Sequence, residues 1–162
     1  MDIIIRKYKE SDFGDLIKLM EELQDFVIKI DPMKRHHRPP RYGKVYTDDL
    51  IKKIKQNQGI IFLAEHQNKI IGCVAGIVER QKKYDLLQCK PTKAGRILEL
   101  IVTKEYRSQK IGKLLMDKIE KHFKKAKCDL LKTDVFEPNK GAYKFYQKLN
   151  YKNRMIYMIK SI

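Results

Sequence analysis

From Leu98 to Gly112 the chain reads LELIVTKEYRSQKIG, an apolar run that breaks into a basic turn and opens at once into a helical pattern over 112–127. No other stretch restricts the fold as much. The helix presents Leu114, Leu115, Ile119, Phe123 and Ala126 to a core, and Leu130 to Phe136 follows as a further strand. A strand–helix–strand unit of this kind implies a parallel pair joined by a right-handed crossover. The turn itself points free backbone N–H groups and the positive end of a helix dipole at one spot. With Arg107 and Lys110 beside them, these groups are expected to hold a phosphate.

The rest of the chain builds around this unit. Residues 2–8 read as a strand, and Ser11 or Asp12 precedes a helix whose apolar residues run from Phe13 to Ile30 at helical spacing. The segment 31–43, DPMKRHHRPPRYG, is expected to be irregular, with a short helix from about Thr47 to Gln56. Ile60–Glu65 and Lys69–Val78 form a predicted hairpin around His66-Gln67-Asn68, and 79–95 is a polar connection. A helix over Asn139–Leu149 and a closing strand over Lys152–Ile159 complete the prediction. The expected fold is one α/β (α+β) domain over 1–162, a mixed twisted sheet of about six to seven strands with about four helices on its faces.

Composition narrows the function classes. A net charge of +16 fits either a polyanion-binding surface or a solvated, lysine-rich one. Most lysines alternate with acids along helices, which favours the solvated surface. The exception, 104–127, coincides with the phosphate turn. No apolar run approaches the roughly 18 residues of a membrane span, and Met1–Tyr8 is too short and charged for a signal peptide. The three cysteines have no CxxC spacing, and the four histidines are scattered apart from His36-His37. No metal site and no disulfide framework are expected, and a reducing cytoplasm is the expected compartment.

Two segments carry the function when taken together: Val102-x4-Arg107-x-x-Lys110-x-Gly112, and Val135-x3-Asn139-x2-Ala142-x3-Tyr146-x3-Asn150-Tyr151. In this order and separation they resemble the GNAT superfamily of acetyl-CoA-dependent N-acetyltransferases. The first is similar to its pyrophosphate motif, the second to its Asn-x-x-Ala-x-x-x-Tyr helix. The opening Ile5-Arg6-Lys7-Tyr8…Asp12 and the helix after it resemble the family's first unit. The resemblance implies that the backbone of Leu100, Ile101 and Val102 serves the pantetheine arm of acetyl-CoA. It assigns the pyrophosphate to the amides of Ser108, Gln109, Lys110, Ile111, Gly112 and Lys113, with charge from Arg107. Asn139, which is also placed to cap its helix, then contacts the pantetheine region, and Ala142 and Tyr146 belong to the same cofactor-facing motif.

Tyr146 is the candidate acid. Acetyl transfer expels a thiolate of pKa about 8.5, and a tyrosine of pKa about 10 remains a proton donor at neutral pH. Ala142, Phe145, Tyr146 and Leu149 also form an apolar helix face, so a core role is the alternative, and Tyr143 is a less suitable substitute on another face. Glu99 is the candidate base. Deprotonating a lysine-like amine at pH 7 costs about 4.6 kcal/mol, and an α-amine only about 1 kcal/mol. The alternative for Glu99 is an ion pair with a lysine across the sheet. His36-His37 either line the acceptor site, as the matching connection does in the family, or are solvated. Lys110 stands where the family has glycine. It is expected to take helical φ/ψ and to keep its amide for the phosphates. Asn150 in place of a helix-ending glycine and Tyr151 in place of phenylalanine are mild departures.

The expected activity is acetyl transfer from acetyl-CoA to a small-molecule, peptide or protein amine by direct attack, in a monomer or homodimer. Cys73, Cys89 and Cys128 have no evident base partner, so no acyl-enzyme is expected. The rivals are a non-catalytic acyl-CoA sensor and a basic nucleic-acid-binding protein. Binding to nucleic acid weakens steeply with salt, and no aromatic–basic platform in the sequence supports it.

Overall fold

Five strands form one sheet in chain order: β1 (Ile4–Lys7), β2 (Ile60–His66), β3 (Lys69–Glu79), β4 (Ala94–Val102) and β5 (Leu130–Thr133). The computed structural model describes residues 2–160. Strands β1 to β4 are antiparallel neighbours, and β5 joins β4 in parallel, as the crossover requires. Helices α1 (Phe13–Ile30), α2 (Tyr42–Gln56), α3 (Asp85–Gln88), α4 (Ile111–Lys125) and α5 (Lys140–Lys148) complete the fold. Among the described residues no helix is long and apolar enough to cross a membrane.

The sheet separates two cores. On one face Phe62, Ile71, Val74 and Ile97 meet Leu115, Met116, Ile119 and Phe123 of α4, with Tyr146 of α5 at the margin. On the other, Ile61, Leu63, Cys73 and Ile101 meet Leu16, Leu19 and Met20 of α1 and Leu50 of α2. Successive residues of β2 therefore feed opposite cores. That is why β2 and β3 read as continuous apolar runs rather than alternating ones. Gly95 permits the closest seat on the sheet, since a Cβ there lies 2.6 Å from the Phe123 ring. Arg6 of β1 grips Asp12 at 2.7 and 2.8 Å, so that carboxylate ties β1 to the start of α1 instead of capping the helix.

Four expectations need correction. The sheet has five strands, not six to seven: the residues expected to close it over 152–159 form no strand, and Met155, Ile156, Tyr157 and Met158 are exposed. Their composition suits a strand, but a strand needs an edge to pair with, and β-propensity does not name one. Helix α2 begins at Tyr42, not Thr47, because Gly43 is packed against Glu21 and does not break the chain. Strand β5 stops at Thr133, short of Phe136. Leu114 is 42 % exposed, because the buried stripe of α4 runs through Ile111, Leu115, Met116, Ile119 and Phe123.

The shortness of β5 positions the site. It pairs with β4 only over Ala94–Ile97. Among the described residues β4 has no neighbour on that side beyond Ile97, and its edge stays open as far as the basic turn.

Candidate active site

The open edge of β4 has a definite polarity. The Thr103 N–H donates to the Ile71 carbonyl at 2.9 Å, and antiparallel pairing alternates from there. The backbone of Ile101 therefore turns to β3, while that of Leu100 and Val102 faces the open side. Of the three residues expected to offer backbone groups to a ligand arm, Ile101 is spent on the sheet. The Val102 carbonyl accepts a bond from Arg107 Nε at 2.9 Å.

The turn below this edge is rich in free donors. Among the described residues the N–H groups of Ser108 to Lys113 make no hydrogen bond, no side chain caps α4, and the first helical bond runs from the Leu114 N–H to the Lys110 carbonyl at 3.1 Å. Ser108 and Lys110 both adopt left-handed backbone, with φ of 63° and 64°. That corrects the expectation that Lys110 is helical. The chain must reverse its course within a few residues to enter α4, and it does so at Ser108 and Lys110. The resulting concavity of N–H groups is of the kind that receives anions. Gly112 is not required by packing, since a Cβ there would meet Phe145 at 3.4 Å and Val102 at 4.0 Å, both ordinary contacts.

The left-handed lysine is a local cost. Lys110→Gly is expected to raise the stability of the ligand-free chain by about 0.5–1 kcal/mol, the relief of side-chain strain less the entropy that glycine adds to the unfolded chain. The measurement is the urea midpoint at unchanged slope. A lower midpoint means that contacts of the lysine stem outweigh the backbone strain.

Arg107 is less free than expected. Besides Val102, it lies 3.5 Å from Glu22 and 5.2 Å over the Phe26 ring, tying the turn to α1. Asn139 does cap α5, its Oδ1 accepting from the Ala142 N–H at 3.0 Å. Asn150 takes the left-handed conformation, at φ 66°.

Glu99 reaches the site through a β-bulge. The pairing with β3 steps from Ala75–Glu99 to Gly76–Ile97, leaving Leu98 as the extra residue. Ile97 and Leu100 face the α4 core, while Leu98 and Ile101 face the α1–α2 core. The bulge thus tilts Leu98 and Glu99 towards the same face, where Glu99 accepts a hydrogen bond from the Tyr46 hydroxyl of α2. The ion pair with a lysine across the sheet is not formed. Burial pushes the Glu99 pKa above the usual carboxylate range, against the opposing pull of the Tyr46 hydroxyl and the Lys53 charge. A cavity of about 170 Å³ opens above it, lined by Tyr46, Asp49 and Lys53 of α2, Arg96 of β4, and Asp134 beyond β5.

Tyr146 is 7 % exposed, at the margin of the α4 core. Burial raises its hydroxyl pKa, the Thr133 side chain opposes the rise, and the charge of Glu99 adds to it. Tyr146 is thus both a core residue and a neighbour of the candidate base. Cys73, under the same face, is fully buried, and its thiol is pushed up by burial and then by Glu99, which keeps it protonated.

Sequence reasoning missed Tyr42 and Tyr46. They stand four residues apart on one face of α2 and stack at 5.2 Å, and the Tyr42 hydroxyl donates to Gln24 at 3.2 Å. The i, i+4 pair was the available signal, hidden by starting the helix at Thr47. The 31–41 loop is also more ordered than a solvated connection. Buried Asp31 accepts from the N–H groups of Met33, Arg35 and His36 and meets His36 Nδ1 at 2.8 Å, which holds its carboxyl well below the usual range. The His36 ring sits edge-on to Phe136 at 5.0 Å, so His36 is packed beside the segment after β5 while its tip remains in solvent. Among the described residues no group of His, Cys, Asp and Glu is arranged to hold a metal ion.

Comparison with known proteins adds an independent line. The sequence model described as the acetyltransferase (GNAT) family matches residues 19–151. N-alpha-acetyltransferase 60 of Xenopus tropicalis is 28% identical over 118 residues, 65% of this chain and 49% of that protein. The chain therefore spans about half the length of this curated relative. Glucosamine-6-phosphate N-acetyltransferase from Arabidopsis thaliana superposes with a TM-score of 0.67 at 21% identity, covering 99% of both chains. AAC(6')-Iy, in complex with the bisubstrate analogue CoA-S-monomethyl-acetylneamine, superposes with a TM-score of 0.71 at 14% identity, covering 100% of both. At these identities the structural likeness bears on the fold.

Proposed function

The chain belongs to the acetyltransferase (GNAT) family, and on that premise we propose that it carries acetyl groups from acetyl-CoA to a primary amine in a ternary complex. The observation that carries this reading is the open edge of β4, which runs from Glu99 to a turn whose N–H groups have no partner among the described residues. Bound there, acetyl-CoA supplies an activated thioester. The amides of Ser108 to Lys113 hold the pyrophosphate, with charge from Lys110. The backbone of Leu100 and Val102 hydrogen-bonds the pantetheine arm once Arg107 yields the Val102 carbonyl, and Asn139 and Ala142 flank the arm from α5. AAC(6')-Iy, which shares this fold, was solved with a CoA-bearing bisubstrate analogue, which supports a CoA thioester as the donor.

The acceptor enters through the cavity over Glu99. Glu99 takes a proton from the ammonium, the free amine nitrogen attacks the thioester carbonyl, and a C–N bond replaces the C–S bond. Tyr146 gives its hydroxyl proton to the departing sulfur and regains one, through water, from the nitrogen as it becomes an amide, so the products are an amide and the CoA thiol, and Glu99 returns its proton to solvent. Peptide α-amines come first among the acceptors, because about 1 kcal/mol deprotonates them and because the Xenopus relative is named an N-alpha-acetyltransferase. Small amines and protein lysines complete the class. We place the reaction in the cytoplasm, within one domain over 1–162 acting as a monomer or homodimer.

The test is calorimetry with acetyl-CoA followed by thiol release over a panel of peptides, small amines and proteins. Binding with turnover on one class supports the enzyme. Binding without turnover on any class indicates an acyl-CoA sensor. No acetyl-CoA binding, with steeply salt-dependent affinity for nucleic acid, indicates the basic binding protein.

A further inference from the structure

We propose that Tyr46 is a positioning residue for the reaction, its hydroxyl binding one oxygen of Glu99 so that the other is left to face the acceptor amine. This rests on the reading of Glu99 as the base. The geometry has three parts. The bulge at Leu98 tilts Glu99 towards α2, where the Tyr46 hydroxyl donates to Oε1. Among the described residues Oε2 has no hydrogen-bond partner, and Glu99 lines the cavity. Tyr46 is itself held from behind: its ring stacks on Tyr42 at an interplanar angle of 19°, the Tyr42 hydroxyl donates to Gln24 Oε1, and Gln24 Nε2 donates to the His37 carbonyl at 2.8 Å. A chain of contacts thus runs from the 31–41 loop through α1 and α2 to the base.

The chemistry gives this bond a purpose. A carboxylate pressed into a core protonates readily and then cannot act as a base. A donor fixed on one oxygen favours the ionised form and removes one torsional freedom. Tyr46 suits the task because burial, and then the charge of Glu99, push its own pKa far above neutrality, so it donates throughout the working range. The other charged or titratable groups around Glu99 are Tyr42, Asp49 and Lys53 from α2, Cys73 from β3, Arg96 on β4 itself, Asp134 beyond β5, and Tyr146 from α5. Lys53 assists ionisation. Lys53 is itself paired with Asp49 at 2.7 Å, and Arg96 is occupied by Glu79 and Asp134.

The experiment is a double-mutant cycle of Tyr46→Phe and Glu99→Gln, read as kcat/KM for the amine against pH. Tyr46→Phe alone is expected to move the acidic limb upward by about one unit, so that kcat/KM falls about tenfold below the limb and recovers towards the parent value at high pH, with unchanged acetyl-CoA affinity. In the Glu99→Gln background the same change is expected to cost less than about twofold. An unmoved acidic limb, or an equal loss in both backgrounds, overturns the proposal and leaves Glu99 as the base. Full activity in Glu99→Gln alone removes the base, and the role of Tyr46 with it. A titration of the Glu99 carboxyl by infrared difference spectroscopy, without acceptor, gives the same answer independently of turnover. The Phe variant is expected to show it protonating at higher pH, and an unchanged titration contradicts the proposal.

Discussion

Glu99→Gln is expected to lower kcat/KM for the amine by about 10³-fold at pH 7, with acetyl-CoA affinity changed by less than about twofold. Glutamine fills the same space and still accepts the Tyr46 bond, but it cannot take a proton. The acidic limb of the rate profile belongs to this group, so the variant's remaining rate should follow the ionisation of the amine alone. A second readout guards against misfolding. Because burial raises the Glu99 pKa above its unfolded value, the native state binds the proton more tightly. Its contribution to stability therefore falls as pH rises from the unfolded pKa through the folded one, and above the folded pKa the whole penalty is present. Glutamine removes it, so the variant should melt higher than the parent above that pH while being nearly inactive. Loss of activity with a lower melting point instead assigns Glu99 a structural role.

Tyr146→Phe is expected to lower kcat by about 10²-fold, with little change in acetyl-CoA affinity. The ring is buried among Phe145, Tyr151 and the α4 core, and phenylalanine retains those contacts. Only the proton for the departing sulfur is lost. Burial and Glu99 keep the Tyr146 hydroxyl protonated above its ordinary pKa, so the deficit should be constant from about pH 6 to 9. Steady-state kinetics with a calorimetric affinity measurement separate the two quantities. Unchanged kcat removes Tyr146 from the mechanism and leaves it as core.

The strand–turn–helix at 98–127 was legible because every level of description agreed there: β-branched and apolar residues in β4, a polar basic turn, and a 3.6-residue stripe in α4. Tyr146 and Asn139 were legible through their fixed spacing on α5. Lys110 was not. Lysine ordinarily avoids left-handed backbone, and only the demand to enter α4 sharply enough to expose its N–H groups makes it comply. Tyr46 escaped because its importance is wholly tertiary. It depends on a bulge in β4 that no local pattern encodes and on a helix start concealed by the Pro39-Pro40 pair and Gly43. The 152–159 segment failed in the opposite sense, having the composition of a strand without a paired edge.

The central claim is that the open edge of β4 and the turn below it serve a thioester donor for an amine. Thiol release and acetylated product, counted together by mass spectrometry with acetyl-CoA and a peptide panel, test it most directly. The expected result is one acetyl amide per thiol, saturable in both substrates and nearly abolished in Glu99→Gln. Calorimetric binding of acetyl-CoA with no acetylated amine, on peptides, small amines or proteins, contradicts it.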